Sequence, residues 1–279
     1  MTRASAAAAA LLRVGVFVGG CDALGRPDAA QGDDAALTTL ADTAATLADI
    51  HSAAIEVELL AESPDMGEDA RLGFRLDGFV QLPDDEGELP VAELTYTQIA
   101  GANEGTATFV AVDGELYVTA AGVTTQLPPD QASGFARQEG DDEGLSELRI
   151  DDWIVAPTLE EEDDIATVRG ELDLAAFYAG LAELSGGALP ALDDDDVAQL
   201  DAAVQASTIE VAAGADDHFL RAVVIDITFG SSTPDDVPGL TPGATAHFEL
   251  RLDAINEPVD VDAPTDAVPA DEVAPPSPT

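Results

Sequence analysis

The period of the apolar residues changes once in the first part of the chain, and this change defines its first elements. From about residue 35 to residue 51, apolar side chains recur at the spacing of one helical face, and Asp33 or Asp34 can cap that helix. From residue 55 onward, apolar and polar residues alternate, as in Ile55-Glu56-Val57-Glu58-Leu59. The pattern predicts a helix over 35–51 followed by antiparallel strands with one face in water.

The alternation continues through residues 71–82, where Phe74 and Leu76 belong to the apolar face. Further along, the same criteria predict strands at 94–96, 153–159, 165–172, 208–212, 219–229 and 245–255. They predict short helices at 128–135 and 145–150, and longer ones at 174–184 and after the acidic cap 193–196. Strands and a few inserted helices without regular βαβ alternation indicate an α+β domain built on one large antiparallel sheet.

The clearest local unit is a hairpin over residues 106–121. Asp113-Gly114 separates two alternating runs, which is a strong signal for a two-residue turn, and it places Val112 opposite Glu115. One face of this hairpin is then apolar throughout and must point inward. Three of its six residues are alanines, so either a helix packs close against it or it borders an open cavity. The six residues are Ala107, Phe109, Ala111, Leu116, Val118 and Ala120.

The charge balance adds a second strong signal. The chain has 56 acidic residues and 10 basic ones, all of them arginines, for a formal charge of −46. Such a surface repels nucleic acid and anionic lipid head groups. At about 1 M salt the Debye length falls to about 3 Å, which largely removes self-repulsion. The composition therefore favours a protein that works in a saline, extracytoplasmic environment; a dedicated cation-binding acidic protein is the alternative.

The N-terminus has the features of a secretion signal. Arg3 precedes an apolar run over residues 6–18, and Gly19-Gly20 stands directly before Cys21, the single cysteine. This arrangement resembles the lipobox of bacterial lipoproteins, although Arg13 interrupts the run and Val18 replaces the commoner leucine. The resemblance implies cleavage after residue 20, which takes the formal charge from −46 to −48, and a diacylglyceryl group on the Cys21 thiol. The alternative is a buried free cysteine behind an ordinary signal peptide.

The two ends of the chain outside the predicted domain differ in character. Residues 21–34 carry no periodicity and are predicted to be a flexible tether with a root-mean-square reach of about 20 Å. The folded domain is predicted over 35–264, and residues 265–279, which are acidic and rich in proline, are predicted to be a disordered tail. With Cys21 as lipid anchor, the protein would lie on the extracytoplasmic face of the cell membrane.

No constellation of catalytic residues is evident in the sequence. His51, His218 and His247 are scattered, with no spacing typical of metal ligands. There is neither a Gly-x-Ser-x-Gly motif nor a glycine loop that would hold a phosphate. We therefore predict no enzymatic activity, no catalytic or metal site and no cofactor.

Three motifs resemble a lipoprotein family. They are Val112-Asp113-Gly114-Glu115-Leu116-Tyr117-Val118, Val168-Arg169-Gly170-Glu171-Leu172-Asp173, and the stretch 248–264 that begins Phe248-Glu249-Leu250 and includes Asn256-Glu257-Pro258-Val259. In this order they are similar to the LppX/LprA/LprF/LprG lipoproteins of mycobacteria and other actinobacteria, which are themselves similar to the Lol lipoprotein carriers. The resemblance covers about residues 35–264.

The resemblance implies a half-barrel: one strongly curved antiparallel sheet with helices across its concave side and an apolar cavity between them. In such a family the ligand is a membrane lipid or glycolipid, held by its acyl chains, and a membrane transporter is a further partner. The lining residues follow from strand parity: Phe74 and Leu76 together with the six inward residues of the hairpin. If that face is open, Ala111→Trp is expected to fold and to lose lipid. The alternative is an anchored structural or adhesive domain with a solid core.

Overall fold

The structure, a computed structural model, describes residues 32–64, 71–83, 87–133, 149–184, 194–230 and 243–270. The predicted signal peptide, Cys21, most of the tether, residues 145–148 of the helix expected at 145–150 and the end of the tail lie outside these residues. The helices are α1 (Asp34–Thr46), α2 (Pro129–Ala132), α3 (Leu174–Leu184) and α4 (Asp194–Ala203), with 3-10 turns at Leu47–Asp49 and Ile150–Asp152.

The strands of the described residues form one mostly antiparallel sheet. In chain order they are β1 (Ser52–Glu62), β2 (Arg71–Gln81), β3 (Val91–Ala100), β4 (Asn103–Val112), β5 (Glu115–Ala120), β6 (Val123–Gln126), β7 (Ile154–Glu162), β8 (Ile165–Leu172), β9 (Val204–Gly214), β10 (Leu220–Phe229), β11 (Thr245–Asp253) and β12 (Val268–Pro269). Their order across the sheet is β12-β6-β5-β4-β3-β2-β1-β11-β10-β9-β8-β7. The first and second halves of the chain therefore meet where β1 pairs with β11.

Strand parity places most of the apolar residues of these strands on one face, here called the inner face. Leu250 of β11 is in register with Val57 of β1 and with Val223 of β10, which continues to Val211 and Val168. Helices α1, α3 and α4 pack over the β7–β11 half of this face, where Leu40 and Leu47 of the first helix and its following turn are almost completely buried. The predicted class is confirmed: α+β, one large curved sheet with helices on its concave side.

The local predictions for the first helix and the hairpin are confirmed. Asp33 caps α1, and its carboxylate accepts a hydrogen bond from the Ala35 amide at 3.0 Å. In the hairpin, Val112 pairs with Glu115, and both turn residues have positive φ, 54° at Asp113 and 77° at Gly114. These angles are those of a type I′ turn, the geometry that matches the twist of adjacent strands.

Two predictions about the chain's periphery need correction. Residues 265–270 do not begin a disordered tail, because Val268–Pro269 pairs in parallel with β6 and covers part of that edge strand. The alternating pattern predicts an outer face in water for the hairpin, but Val110 and Tyr117 on that face are both buried. They lie opposite each other across β4 and β5, and the Tyr117 hydroxyl donates to the Glu115 carboxylate, which raises the pKa of Tyr117.

Asn256 joins three parts of the chain at the end of the sheet where β1 starts and β11 ends. Its side-chain oxygen accepts from the His51 amide at 2.8 Å, and its amide nitrogen donates to the Asp49 carbonyl at 2.8 Å. The backbone amide of Asn256 donates to the Ser52 carbonyl at 2.8 Å, and the φ of Asn256 is 59°. The residue therefore fixes the end of β11 against the turn that leads from α1 into β1.

We expect Asn256→Ala to destabilise the protein by about 2 kcal/mol, from two lost hydrogen bonds and the cost of positive φ in alanine. Asn256→Gly loses the same hydrogen bonds but tolerates the φ, so it should cost about half as much. Urea unfolding followed by the fluorescence of Trp153 measures both. Equal stability of the alanine variant and the wild type would contradict this role.

Candidate functional site

The inner face of β1–β6 has two regions, one towards each end of the strands. One region contains a packed cluster of apolar residues, here called the base cluster. It lies at the ends of β2 and β4 and the starts of β3 and β5, and it includes a residue of helix α2. Its buried members are between 3% and 5% exposed, so this part of the face is filled by the helix and its neighbours. They are Ala92, Leu94, Ala111, Leu116 and Ala132.

Above the base cluster the same face carries apolar residues that are more exposed. We call them the apolar strip, and they comprise Val57 and Leu59 of β1, Leu72 and Phe74 of β2, Tyr96 of β3 and Ala107 of β4. The strand registers connect them: Leu59 lies opposite Phe74, and Tyr96 lies opposite Ala107. Leu59 is 38% exposed and Leu72 is 43% exposed, values high for leucines on the apolar face of a sheet.

Aromatic rings border the apolar strip on two sides. Phe74 and Tyr96 stack within it, with ring centroids 5.9 Å apart. On the β11 side, Phe248 lies next to Leu59 in the sheet and contacts Phe177 of α3, with centroids 6.3 Å apart. Burial raises the pKa of Tyr96, so its phenol is neutral at physiological pH. The strip is therefore an uncharged surface between α3 and the hairpin, closed below by the base cluster.

The residues predicted from the sequence to line an apolar cavity fall into both of these regions. Leu76, Phe109, Ala111 and Leu116 belong to the base cluster or pack against it, whereas Phe74 and Ala107 lie in the apolar strip. Val118 is level with Phe109, and Ala120 is level with Ala107 and exposed. Because Ala111 is only 5% exposed, Ala111→Trp is now expected to overpack and destabilise the core instead of filling an open space.

Sequence reasoning missed four members of the apolar strip: Val57, Leu59, Leu72 and Tyr96. Their parity is evident from the alternating pattern, but parity alone does not distinguish a residue under a helix from one that no helix covers. The cross-strand registers and the position of α2 decide this, and neither follows from local pattern. A signal that was available is size: the upper halves of β1 and β2 keep large apolar side chains where the hairpin has alanines.

Charged side chains pair on the opposite, outer face. Arg75 of β2 pairs with Glu58 of β1, and Arg169 of β8 pairs with Glu160 and, at 2.6 Å, with Glu210. These pairs cross between neighbouring strands and raise the pKa of both guanidinium groups, chiefly through the hydrogen bonds. They lie on the face of the sheet opposite the apolar strip.

The three histidines do not converge. His247 contacts Asp226 at 2.8 Å on the outer face, and this hydrogen bond raises the pKa of the imidazole. His51 begins the approach to β1, and His218 lies in the turn between β9 and β10. Within the described residues, no group of three or more His, Cys, Asp or Glu side chains is arranged to hold a metal ion. Nor does any helix there have the length and apolar character needed to cross a membrane.

Solved structures of other proteins match this arrangement of sheet and helices. The crystal structure of LprF from Mycobacterium bovis matches with a TM-score of 0.45 and 14% identity, over 84% of this chain and 98% of that one. The Mycobacterium tuberculosis lipoprotein LppX matches with a TM-score of 0.42 and 14% identity, over 83% and 100%. LprF and LppX are both among the lipoproteins that the sequence motifs resemble.

More distant matches include a LolA superfamily protein from Nitrosomonas europaea, with a TM-score of 0.21 and 11% identity over 80% of this chain and 95% of that one. No family model matches the sequence, and no curated protein matches it. At these identities the comparison with LprF and LppX concerns the fold, so we transfer neither a ligand nor a residue role from it.

The excess of carboxylates leads to a prediction about salt. The arginine pairs on the outer face are exposed, and such pairs contribute at most about 1 kcal/mol each. Salt weakens these ion pairs, but it also screens the repulsion among the carboxylates of a chain with formal charge −46. The stability gained from reduced repulsion exceeds the stability lost from the ion pairs. We expect the thermal midpoint to rise by about 5 °C between ~0.05 M and ~1 M potassium chloride. A midpoint that does not change across the series would contradict this.

Proposed function

We propose that this protein is a membrane-anchored extracytoplasmic lipoprotein that binds the acyl chains of a lipid or glycolipid and carries them to the cell envelope. The observation that carries the proposal is the apolar strip, a run of exposed and half-buried apolar residues on the inner face of the sheet. Cys21 would hold the lipid anchor, and a membrane transporter would supply or receive the cargo. Catalysis forms no part of this proposal.

The chemistry of the apolar strip suits an acyl chain. Leu59, Leu72 and Phe74 offer aliphatic and aromatic surface without a charge, so a hydrocarbon chain loses no polar contact when it lies there. Each methylene group removed from water contributes about 0.8 kcal/mol, and several of them suffice for stable binding. The base cluster below the strip sets the depth to which such a chain could reach.

An anchored structural or adhesive domain is the second candidate, and one observation favours it. The base cluster is filled, with Ala111 and Leu116 packed beside Ala132, as in a solid core. On this view the exposed leucines of the strip would be ordinary surface residues. The two candidates differ in whether lipid copurifies with the protein and where it lies.

Replacing Leu59 and Leu72 together by glutamine is expected to lower lipid occupancy about ten-fold or more, because two apolar contacts with the acyl chain are lost. Stability should change little, since both side chains are already exposed. Native mass spectrometry of the purified protein measures the occupancy. Leu37→Gln is the matched control, because Leu37 is 46% exposed on α1, away from the strip.

The proposal requires that the control variant keep the wild-type occupancy while the double variant loses it. Wild-type protein that carries no lipid and takes up none from vesicles would favour the structural domain instead. Equal loss in Leu37→Gln and in the double variant would show non-specific adsorption of lipid to exposed leucines.

A further inference from the structure

The arginines of the described residues differ in whether they form an ion pair. Five of them are ion-paired: Arg75 with Glu58, Arg149 with Asp152, Arg169 with Glu210, Arg221 with Asp217 and Arg251 with Glu249. Arg71 is the exception in this part of the chain, since no carboxylate lies within ion-pair distance of its guanidinium. In a protein with 56 acidic residues, an arginine without an acidic partner needs an explanation.

Arg71 stands at the upper end of the apolar strip. It is the first residue of β2 and directly precedes Leu72, which is 43% exposed. Its parity is that of the outer face. At the first position of a strand, however, a side chain as long as that of arginine is within reach of the end of the other face. The Gly101 amide donates to the Arg71 carbonyl at 2.7 Å, so the backbone is fixed at this corner while the side chain is exposed.

The nearest acidic residue in the sheet register is Glu62, the last residue of β1. Glu62 and Arg71 face each other across the two strands, yet their side chains form no ion pair. The guanidinium is thus available to another anion. Arginine presents a planar fork of donors that matches phosphate or carboxylate oxygens in a bidentate manner.

We propose that Arg71 binds the phosphate, or another anionic group, of the head of an amphiphile whose acyl chain lies on the apolar strip. This inference rests on the proposed function. An acyl chain that covers Leu72 and Phe74 leaves its polar head at the end of the strip, in water and beside Arg71. The rest of the surface repels anions, so this arginine would select the anionic members of a lipid mixture.

The test compares two lipids with the same acyl chains, dioleoylphosphatidylglycerol and the uncharged dioleoylglycerol. The full chain is purified in detergent, and its occupancy by each lipid is measured by native mass spectrometry at low ionic strength. Wild type should prefer the phosphate-bearing lipid. Arg71→Gln should lower that preference about ten-fold and leave dioleoylglycerol binding unchanged, as expected for one charge-assisted contact.

Two further variants sharpen the comparison. Arg75→Gln is the matched control, since Arg75 lies on the same strand and parity, four residues away, but is paired with Glu58. It should keep the wild-type preference. Glu62→Gln removes the carboxylate opposite Arg71 and should strengthen the preference for phosphatidylglycerol.

The outcomes separate this inference from the proposed function. If Arg71→Gln keeps the full preference, or if Arg75→Gln loses it equally, the head-group role of Arg71 is wrong, while dioleoylglycerol binding still supports the proposed function. If no variant, including wild type, binds either lipid, the proposed function itself fails. Displacement of phosphatidylglycerol by millimolar inorganic phosphate, with dioleoylglycerol unaffected, would indicate a free-phosphate site and overturn the assignment to a lipid head.

Discussion

Replacing Cys21 with serine is expected to release the protein from membranes into the soluble fraction. A diacylglyceryl group supplies two acyl chains, which together give stable attachment, whereas a single chain binds only marginally. Without the thiol no such group can be attached at this position. Fractionation of cells that express either form, followed by a carbonate wash, measures the membrane-bound share.

The control for this experiment keeps the cysteine and changes the strip. The Leu59→Gln, Leu72→Gln variant should remain in the membrane fraction, because its anchor is intact. Should the serine variant stay bound while the wash removes peripheral proteins, the lipobox interpretation of Gly19-Gly20-Cys21 would be refuted. If the wild type and the serine variant were both in the soluble fraction, the buried-cysteine alternative would be preferred.

Gly78→Ala is expected to destabilise the fold by about 3 kcal/mol or more, which corresponds to a thermal midpoint lower by roughly 10 °C. Gly78 lies in β2 with φ at 146°, a conformation that side-chain-bearing residues rarely adopt. A Cβ at this position would overlap the backbone carbonyl oxygen of Glu93 on β3. The close approach of β2 to its neighbour therefore depends on glycine here.

Gly105→Ala is the matched control for the same measurement. Gly105 also lies in a strand, β4, but a Cβ there would meet nothing within 4 Å and its φ is not positive. It should change stability by less than about 1 kcal/mol, and it can stabilise by reducing the freedom of the unfolded chain. A Gly78→Ala variant as stable as Gly105→Ala would show that β2 can shift to accommodate a side chain.

The local elements could be predicted from sequence because their causes are local. The hairpin followed from Asp113-Gly114, the one dipeptide between two alternating runs that suits a type I′ turn. Helix α1 followed from its apolar spacing and the capping carboxylate of Asp33. Strand parity was equally secure, since a side-chain period of two leaves only one face for the apolar residues.

The candidate site could be predicted only in part, because its position depends on contacts between distant segments. Ala111 and Ala107 have the same residue type and parity, yet α2 packs over the level of Ala111 and not over that of Ala107. The pairing of β1 with β11, which places Phe248 beside Leu59, is equally invisible in the local pattern. The tail strand β12 escaped prediction because two residues carry no periodicity.

The most direct test of the central claim is to locate the acyl chain on the protein. A fatty acid with a photoreactive diazirine near its methyl end is bound to the full chain and cross-linked by light, and the adducts are then mapped by peptide mass spectrometry. We expect adducts in peptides that contain Leu59, Leu72 or Tyr96, and we expect these adducts to be lost in the Leu59→Gln, Leu72→Gln variant. Adducts confined to α1 around Leu37 or to the outer face around Phe79 would contradict it.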